Sequence, residues 1–214
     1  MSVVAPPDAA AFPQGFAERV GWTPRAQQDL VAFRLCLEAA NADFNLVGPA
    51  TLGDFWRRHV VDSAQLRWFY PRALIWADLG SGAGLPGLVL AILLKDTPGA
   101  TIHLVESMAK RCRFLQDVVA RLDLPAVVHN ARAESLRLNV EIVTARACAP
   151  LERLLDFAWP YASRGARPVF LKGESVEDEI LSAHARWRFT ARLIPSLSDT
   201  RGRLVEIEGL KRGR

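Results

Sequence analysis

The chain has 214 residues, half of them hydrophobic, with a formal net charge of +4. That length suits one sizeable domain, or one domain with a small appendage, and the apolar share is enough for a core. No apolar run approaches the roughly 18 residues that cross a bilayer, and a mild positive charge is compatible with a polyanionic partner without requiring one.

The first fourteen residues, MSVVAPPDAAAFPQ, are rich in Ala and Pro and lack the basic start and long apolar stretch of a secretion signal. Residues 1–22 therefore read as a flexible tail. Thr23-Pro24 is a helix start, a hydroxyl cap followed by a proline whose missing N–H is not needed there. Leu30, Phe33 and Leu37 recur at helical spacing after it, and a second helical stretch spans TLGDFWRRHVVDSAQLRWF at 51–69. Residues 23–70 are thus expected to be a helical extension, and 71–210 the main domain.

From residue 73 the pattern alternates. ALIWAD (73–78), TIHLVE (101–106), AVVHN (126–130), EIVTAR (141–146) and PVFLKG (168–173) are short apolar runs separated by helical segments. Such alternation argues for an α/β fold with a parallel sheet covered on both faces. One of these helices is expected to be capped by Ser107 and to bury Met108, Leu115, Val118, Val119 and Leu122. RWRFTARLIP and GRLVEIE, on either side of SLSDTR, predict an antiparallel C-terminal hairpin.

ADLGSGAGLPG, at 77–87, is the most informative stretch. It holds Asp78-x-Gly80-x-Gly82-x-Gly84, which suits a nucleoside sulfonium donor, and Gly82-x-Gly84-x-x-Gly87, which suits a dinucleotide. In a parallel sheet the first strand–helix turn lies at the ligand crevice. Glu106, closing the second strand, can accept hydrogen bonds from a ribose in either ligand. Asp78 favours a cationic donor over a pyrophosphate by simple charge. Pro86 removes an N–H that a pyrophosphate site would use.

Arg146 ends the fourth strand, where it can donate to a nucleobase or a phosphate, and it stays charged, so it is no base. Lys172 ends the next strand. Arg57 and Arg58, then Lys110, Arg111 and Arg113, then Arg201 and Arg203, are candidate RNA phosphate contacts. His59 and Asp62 stand one helical turn apart and are expected to bond each other. Cys36, Cys112 and Cys148 are odd in number and scattered, which argues against a disulfide framework and places the chain in a reducing cytoplasm. No His/Cys/Asp grouping has metal-ligand spacing, so no metal is expected.

The segments FNLV (44–47), RHVVDS (58–63), ADLGSGAGLPGLVLAI (77–92), LVESMAKRCRFLQDV (104–118), RAE (132–134), ARACAPL (145–151) and LKG (171–173) together resemble the glucose-inhibited division protein B family, bacterial 16S rRNA guanine-N7 methyltransferases. The resemblance runs from about 23 to 208, with Phe44 where a tyrosine is usual and an extended N-terminal tail. It implies a Rossmann-like, class I methyltransferase sheet using S-adenosylmethionine. Its partner would be 16S rRNA or a small-subunit precursor, and the protein a monomer that binds no membrane. By motif position, Gly80 and Leu85 would line the cofactor site, with Ala133 and Glu134 beside the adenine and Arg146 facing the reaction centre. Asp78, Gly82, Gly84, Glu106 and Ser107 complete the expected cofactor set, to which Arg146 also belongs alongside its place at the reaction centre.

Guanine N7 has a lone pair and no proton, so its methylation needs alignment rather than a base. TARACAP, in place of an Asn/Asp-Pro-Pro-aromatic stretch, agrees with a ring-nitrogen target, and Cys148 is given a packing role. Two other readings stand beside this one. A nicotinamide oxidoreductase would use Gly82, Gly84 and Gly87, but neither Tyr70 nor Tyr161 has a lysine four residues on. An RNA-binding module would retain the turn without catalysis.

Overall fold

The computed structural model describes residues 13–213, and most of the expected tail (1–12) lies outside them. Among the described residues the strands form one seven-stranded sheet. In chain order these are β1 (Ile75–Leu79), β2 (Thr101–Glu106), β3 (Ala126–Asn130), β4 (Ile142–Arg146), β5 (Arg167–Lys172), β6 (Trp187–Pro195) and β7 (Arg203–Arg212). Their spatial order is β3-β2-β1-β4-β5-β7-β6. The first five are parallel, and β7 runs antiparallel against both β5 and β6. The order reverses between β1 and β4, which opens a crevice at their carboxyl ends.

The helices are α1 (Phe16–Val20), α2 (Pro24–Phe44), α3 (Pro49–Leu52), a π-wound turn (Trp56–Val61), α4 (Asp62–Phe69), α5 (Gly87–Leu93), α6 (Ala109–Leu122), α7 (Leu151–Ala162) and α8 (Val176–Ala183). Thr23 caps α2 as expected, accepting from the Ala26 N–H at 3.1 Å. The tail expectation needs correction at its end: α1 packs Phe16 and Val20 into the core, and an apolar pair there binds the segment down.

Strand alternation sends side chains to two cores. Trp76, Ile102, Leu104 and Val169 join α1, α2, α4, α5 and α6 on one face. Ala77, Leu79, Val105, Val143 and Phe170 join α7 and α8 on the other. Each fully buried Leu or Val contributes about 1.5–3 kcal/mol, so both helical layers are firmly held. The first core contains Leu30, Phe33 and Phe55 from the extension together with Leu88 and Leu104 from the sheet domain, so hydrophobic packing is continuous across residue 70. At the hairpin, the buried Glu206 accepts from Arg192 Nε at 2.7 Å and pairs with Arg167 at 3.1 Å.

Helix α5 approaches β1 closely enough that a Cβ on Gly87 would lie 2.3 Å from a Leu104 methyl and 2.7 Å from an Asp78 oxygen. Gly87→Ala should therefore destabilise the fold by about 1–3 kcal/mol through overpacking, read as a lower Tm. An unchanged Tm would contradict this packing.

Candidate active site

The turn after β1 is built around two acids that do different work. In β1, Trp76 and Asp78 share the α5 face, while Ala77 and Leu79 share the other. Asp78 thus points inward, only 1% exposed, and its Oδ2 accepts the Gly87 N–H at 3.0 Å. A carboxylate at a helix start is favourable, but burial pushes Asp78 up to about 7, and its Oδ1 has no protein partner. The expectation that Asp78 faces a cationic ligand is corrected: strand parity turns it to the helix. Gly84 likewise faces Leu88 and Leu115 rather than the crevice.

Glu106 is the acid that reaches the crevice. Its Oε2 accepts the Gly82 N–H at 3.0 Å and its Oε1 the Met108 N–H at 2.8 Å. One carboxylate thereby joins the β1 turn to the start of α6. Arg111 approaches Oε2 at 3.8 Å. Ser107 lies in the crevice but does not cap α6; Met108 occupies the cap position and is 51% exposed instead of buried in the helix face. At Gly80, φ is +71° and a Cβ would stand 2.3 Å from Cys148 Sγ, so only glycine fits. At Gly82, φ is +54° and a Cβ would meet nothing closer than the Gly80 carbonyl at 3.7 Å, leaving open space above the backbone.

These residues line a cavity of about 1570 Å³. Gly80, Gly82, Leu85, Glu106 and Ser107 form its floor, and Ala133 and Glu134 one side wall. The wall is fixed by Tyr161, whose hydroxyl donates to the Ala133 carbonyl at 2.9 Å. Asn130 Nδ2 donates to the Ser107 carbonyl at 3.0 Å, closing the gap between β3 and the α6 start.

Arg146 stands at the opposite rim. Its Nη1 donates to the Arg58 carbonyl at 2.7 Å and to Asp62 Oδ2 at 3.3 Å, and its Nη2 to His59 Nδ1 at 3.1 Å. The expected His59–Asp62 bond is replaced by these contacts. His59 Nε2 instead faces Thr51 Oγ1 at 3.1 Å, and Asp62 Oδ1 accepts from Ser198 Oγ at 2.6 Å and Gln65 Nε2 at 3.0 Å. Burial, then the Arg146 charge, lowers His59 to about 4. Cys148 also lines the cavity, its thiol pushed up by burial and by Asp78 and Glu106.

Of the candidate basic contacts, Arg57, Arg58 and Arg111 line the cavity. Lys172 does not: it pairs with Glu179 at 2.6 Å and donates to the Ala149 carbonyl, tying α8 to the loop before α7. Arg201 leans on Glu174 and Asp199, and Arg203 donates to the Thr200 and Gly202 carbonyls, so neither is among the lining residues. Lys110 and Arg113 lie on α6 outside the cavity. Arg132 and Arg153 do line it, and sequence reasoning missed both. Their signal was position, one residue before Ala133-Glu134 and three residues after the ACAP segment.

The family profile for GidB, rRNA small subunit methyltransferase G, matches residues 26–202. The chain belongs to this family. A Caulobacter vibrioides protein named ribosomal RNA small subunit methyltransferase G is 54% identical over 208 residues, covering 97% of this chain and 96% of that one. A Methylorubrum extorquens protein of the same name is 45% identical, covering 78% and 81%. A crystal structure of a SAM-dependent methyltransferase from Aquifex aeolicus superposes with a TM-score of 0.55 at 15% identity, covering 76% of this chain and 94% of that one, and supports the fold alone.

As in this GidB family, the cofactor is S-adenosylmethionine, and the residues present fit it. Gly82 leaves the floor clear of side chain, and Glu106 is fixed by two backbone N–H groups, with Ser107 Oγ at 3.5 Å and Arg111 at 3.8 Å, as a carboxylate acceptor on the cavity lining where a ribose hydroxyl would sit. Arg146 retains donors beyond the three contacts already described.

Asp78 and His59 act oppositely on stability. The unfolded chain releases the Asp78 proton near pH 4 and the folded protein near 7, so this group weakens the fold as pH rises between them. The unfolded chain protonates His59 near 6.5 and the folded protein near 4, so this group weakens the fold as pH falls between them. Asp78→Asn removes only the first effect. Its unfolding free energy should fall more steeply than wild type from pH 6.5 to 4.5, by up to about 1.4 kcal/mol per pH unit, read as a steeper drop in Tm; parallel curves would contradict the assignment.

Proposed function

We propose that the chain transfers a methyl group from S-adenosylmethionine to N7 of a guanine in 16S rRNA, acting as a cytoplasmic monomer on the small ribosomal subunit or its precursor. Family membership carries the dependence on this cofactor and the ribosomal RNA substrate; the N7 position, the 16S target and the residue roles are our reading. When bound, S-adenosylmethionine supplies an electrophilic methyl on a sulfonium. The guanine N7 lone pair takes that methyl, and no proton has to leave.

The observation that carries this reading is the composition of the rim. Around the end of β4, His59 has its Nδ1 committed to Arg146 and Asp62 is engaged by Arg146, Ser198 and Gln65. The raised Cys148 thiol stays protonated at neutral pH, which disfavours a thiolate nucleophile for carbon methylation. Arginine does not accept a proton. Such a rim orients a base and moves no proton.

In this reading Glu106 holds the ribose hydroxyls, Gly80, Gly82, Leu85 and Ser107 form the bed, and Ala133 with Glu134 borders the adenine. Arg146 donates to the guanine O6 or an adjacent phosphate. Arg57, Arg58, Arg111, Arg132 and Arg153 form a basic mouth for RNA phosphates. Residues 23–70 act as the second wall of the catalytic cavity, through Thr51, His59 and Asp62, so the extension belongs to the working site.

Incubation with 16S rRNA and S-adenosylmethionine, followed by borohydride and aniline cleavage, should cut the RNA at one guanine only in the presence of the protein. Methyl incorporation without cleavage would refute N7 as the target. Arg146→Ala should reduce turnover by about 100-fold or more while changing adenosylhomocysteine affinity less than tenfold; equal losses would count against its place at the reacting base. Glu106→Gln should weaken adenosylhomocysteine about 10- to 100-fold in calorimetry, the worth of hydrogen bonds to a charged group, and an unchanged affinity would remove it from the ribose site.

A further inference from the structure

The π-wound turn Trp56–Val61 has a purpose beyond packing. In an α-helix the Asp62 N–H would bond the Arg58 carbonyl; here it bonds the carbonyls of Arg57 and His59. The Arg58 carbonyl accepts Arg146 Nη1 instead, and His59 and Asp62 reach the same guanidinium. Extra-wide turns of this kind are frequent at functional sites.

The geometry points to His59 and Asp62 as positioning residues for methyl transfer, which fix the guanidinium of Arg146 from the helical extension. This rests on the reading that Arg146 faces the reacting base. A guanidinium has five N–H donors. Three are taken, by the Arg58 carbonyl, Asp62 and His59, so two remain to serve a ligand in a fixed direction.

The roles of the two partners differ. Because Arg146 can only donate, His59 Nδ1 must accept, which puts the ring proton on Nε2, aimed at Thr51 Oγ1. Thr51 in turn donates to the Gly48 carbonyl at 2.7 Å, so the chain of bonds ends on backbone. The lowered His59 basicity keeps Nδ1 free to accept at neutral pH. Asp62 balances charge. Methylation at N7 makes the purine cationic, and an uncompensated guanidinium beside it would oppose that change. Asp62 pairs the charge while Ser198 and Gln65 hold its other oxygen.

The test uses two variants that split the His59 ring. His59→Asn keeps an acceptor where Nδ1 sits; His59→Gln puts its amide where Nε2 sits and leaves Arg146 without that acceptor. Both are polar and suit a fold check by Tm. In single-turnover methyl transfer to ribosomal RNA, His59→Gln should slow the reaction about 10- to 100-fold with adenosylhomocysteine affinity little changed, and His59→Asn should rescue most of that loss. In the Arg146→Ala background, His59→Gln should add almost nothing, because the group it positions is gone. Additive losses, or equal rates for the two His59 variants, would overturn the positioning role. If Arg146→Ala itself turns over normally, the reading of Arg146 fails instead, and the two failures are thereby told apart. Asp62→Asn gives an independent arm: it should slow transfer more than it weakens RNA binding, and the reverse order would make Asp62 a structural or RNA-contact group only.

Discussion

The site depends on one buried carboxylate held by backbone. Glu106 accepts N–H groups from Gly82 and Met108, and so fixes the distance between the glycine turn and the first turn of α6. A free acid at a strand end would swing with solvent. This one is 4% exposed and keeps one direction. The parallel sheet supplies the rest: the reversal of strand order between β1 and β4 leaves a crevice, and Glu106 and Arg146 stand at carboxyl ends on its two sides. In the proposed reaction the fold separates two tasks, with cofactor recognition on the β1–β2 side and orientation of the reacting base on the β4 side.

The second wall comes from the extension. Its helices share a core with α5 and α6, so the π-wound turn is presented to β4 by the same apolar packing that stabilises the sheet. Arg57 Nε reaches the Ser198 carbonyl at 2.7 Å, and Asp62 holds the Ser198 hydroxyl, which links the extension to the hairpin turn as well. Displacing the extension would therefore disturb the Arg146 contacts before those of Glu106, none of which involves it.

Much of this was legible in the sequence because it is local. The strand runs, the Thr23 cap, the glycine turn, Glu106 and the terminal hairpin are each written in one continuous stretch of sequence. What was not legible depends on parity or distance. Asp78 precedes the glycines, as a ligand-facing acid would, yet strand alternation puts it on the same face as Trp76 and turns it to Gly87. Lys172 ends β5 on the carboxyl side of the sheet, where the crevice lies, but Glu179 and the Ala149 carbonyl capture it. His59 and Asp62 looked like a local pair, whereas their partner is Arg146, far along the chain. Met108 fits the apolar period of α6, but it sits at the cap, where the helix has not begun, and it is half exposed among the residues that line the cavity.

In the proposed reaction this cavity works by alignment, with no proton in flight during methyl transfer. The most direct measurement is the solvent deuterium isotope effect on the single-turnover rate, taken between about pH 6 and 9. Transfer by alignment alone gives a ratio near 1 and a flat profile across that range. A ratio of about 2 or more, with a rate that climbs through a titration in the same window, would show a general base at work and contradict it.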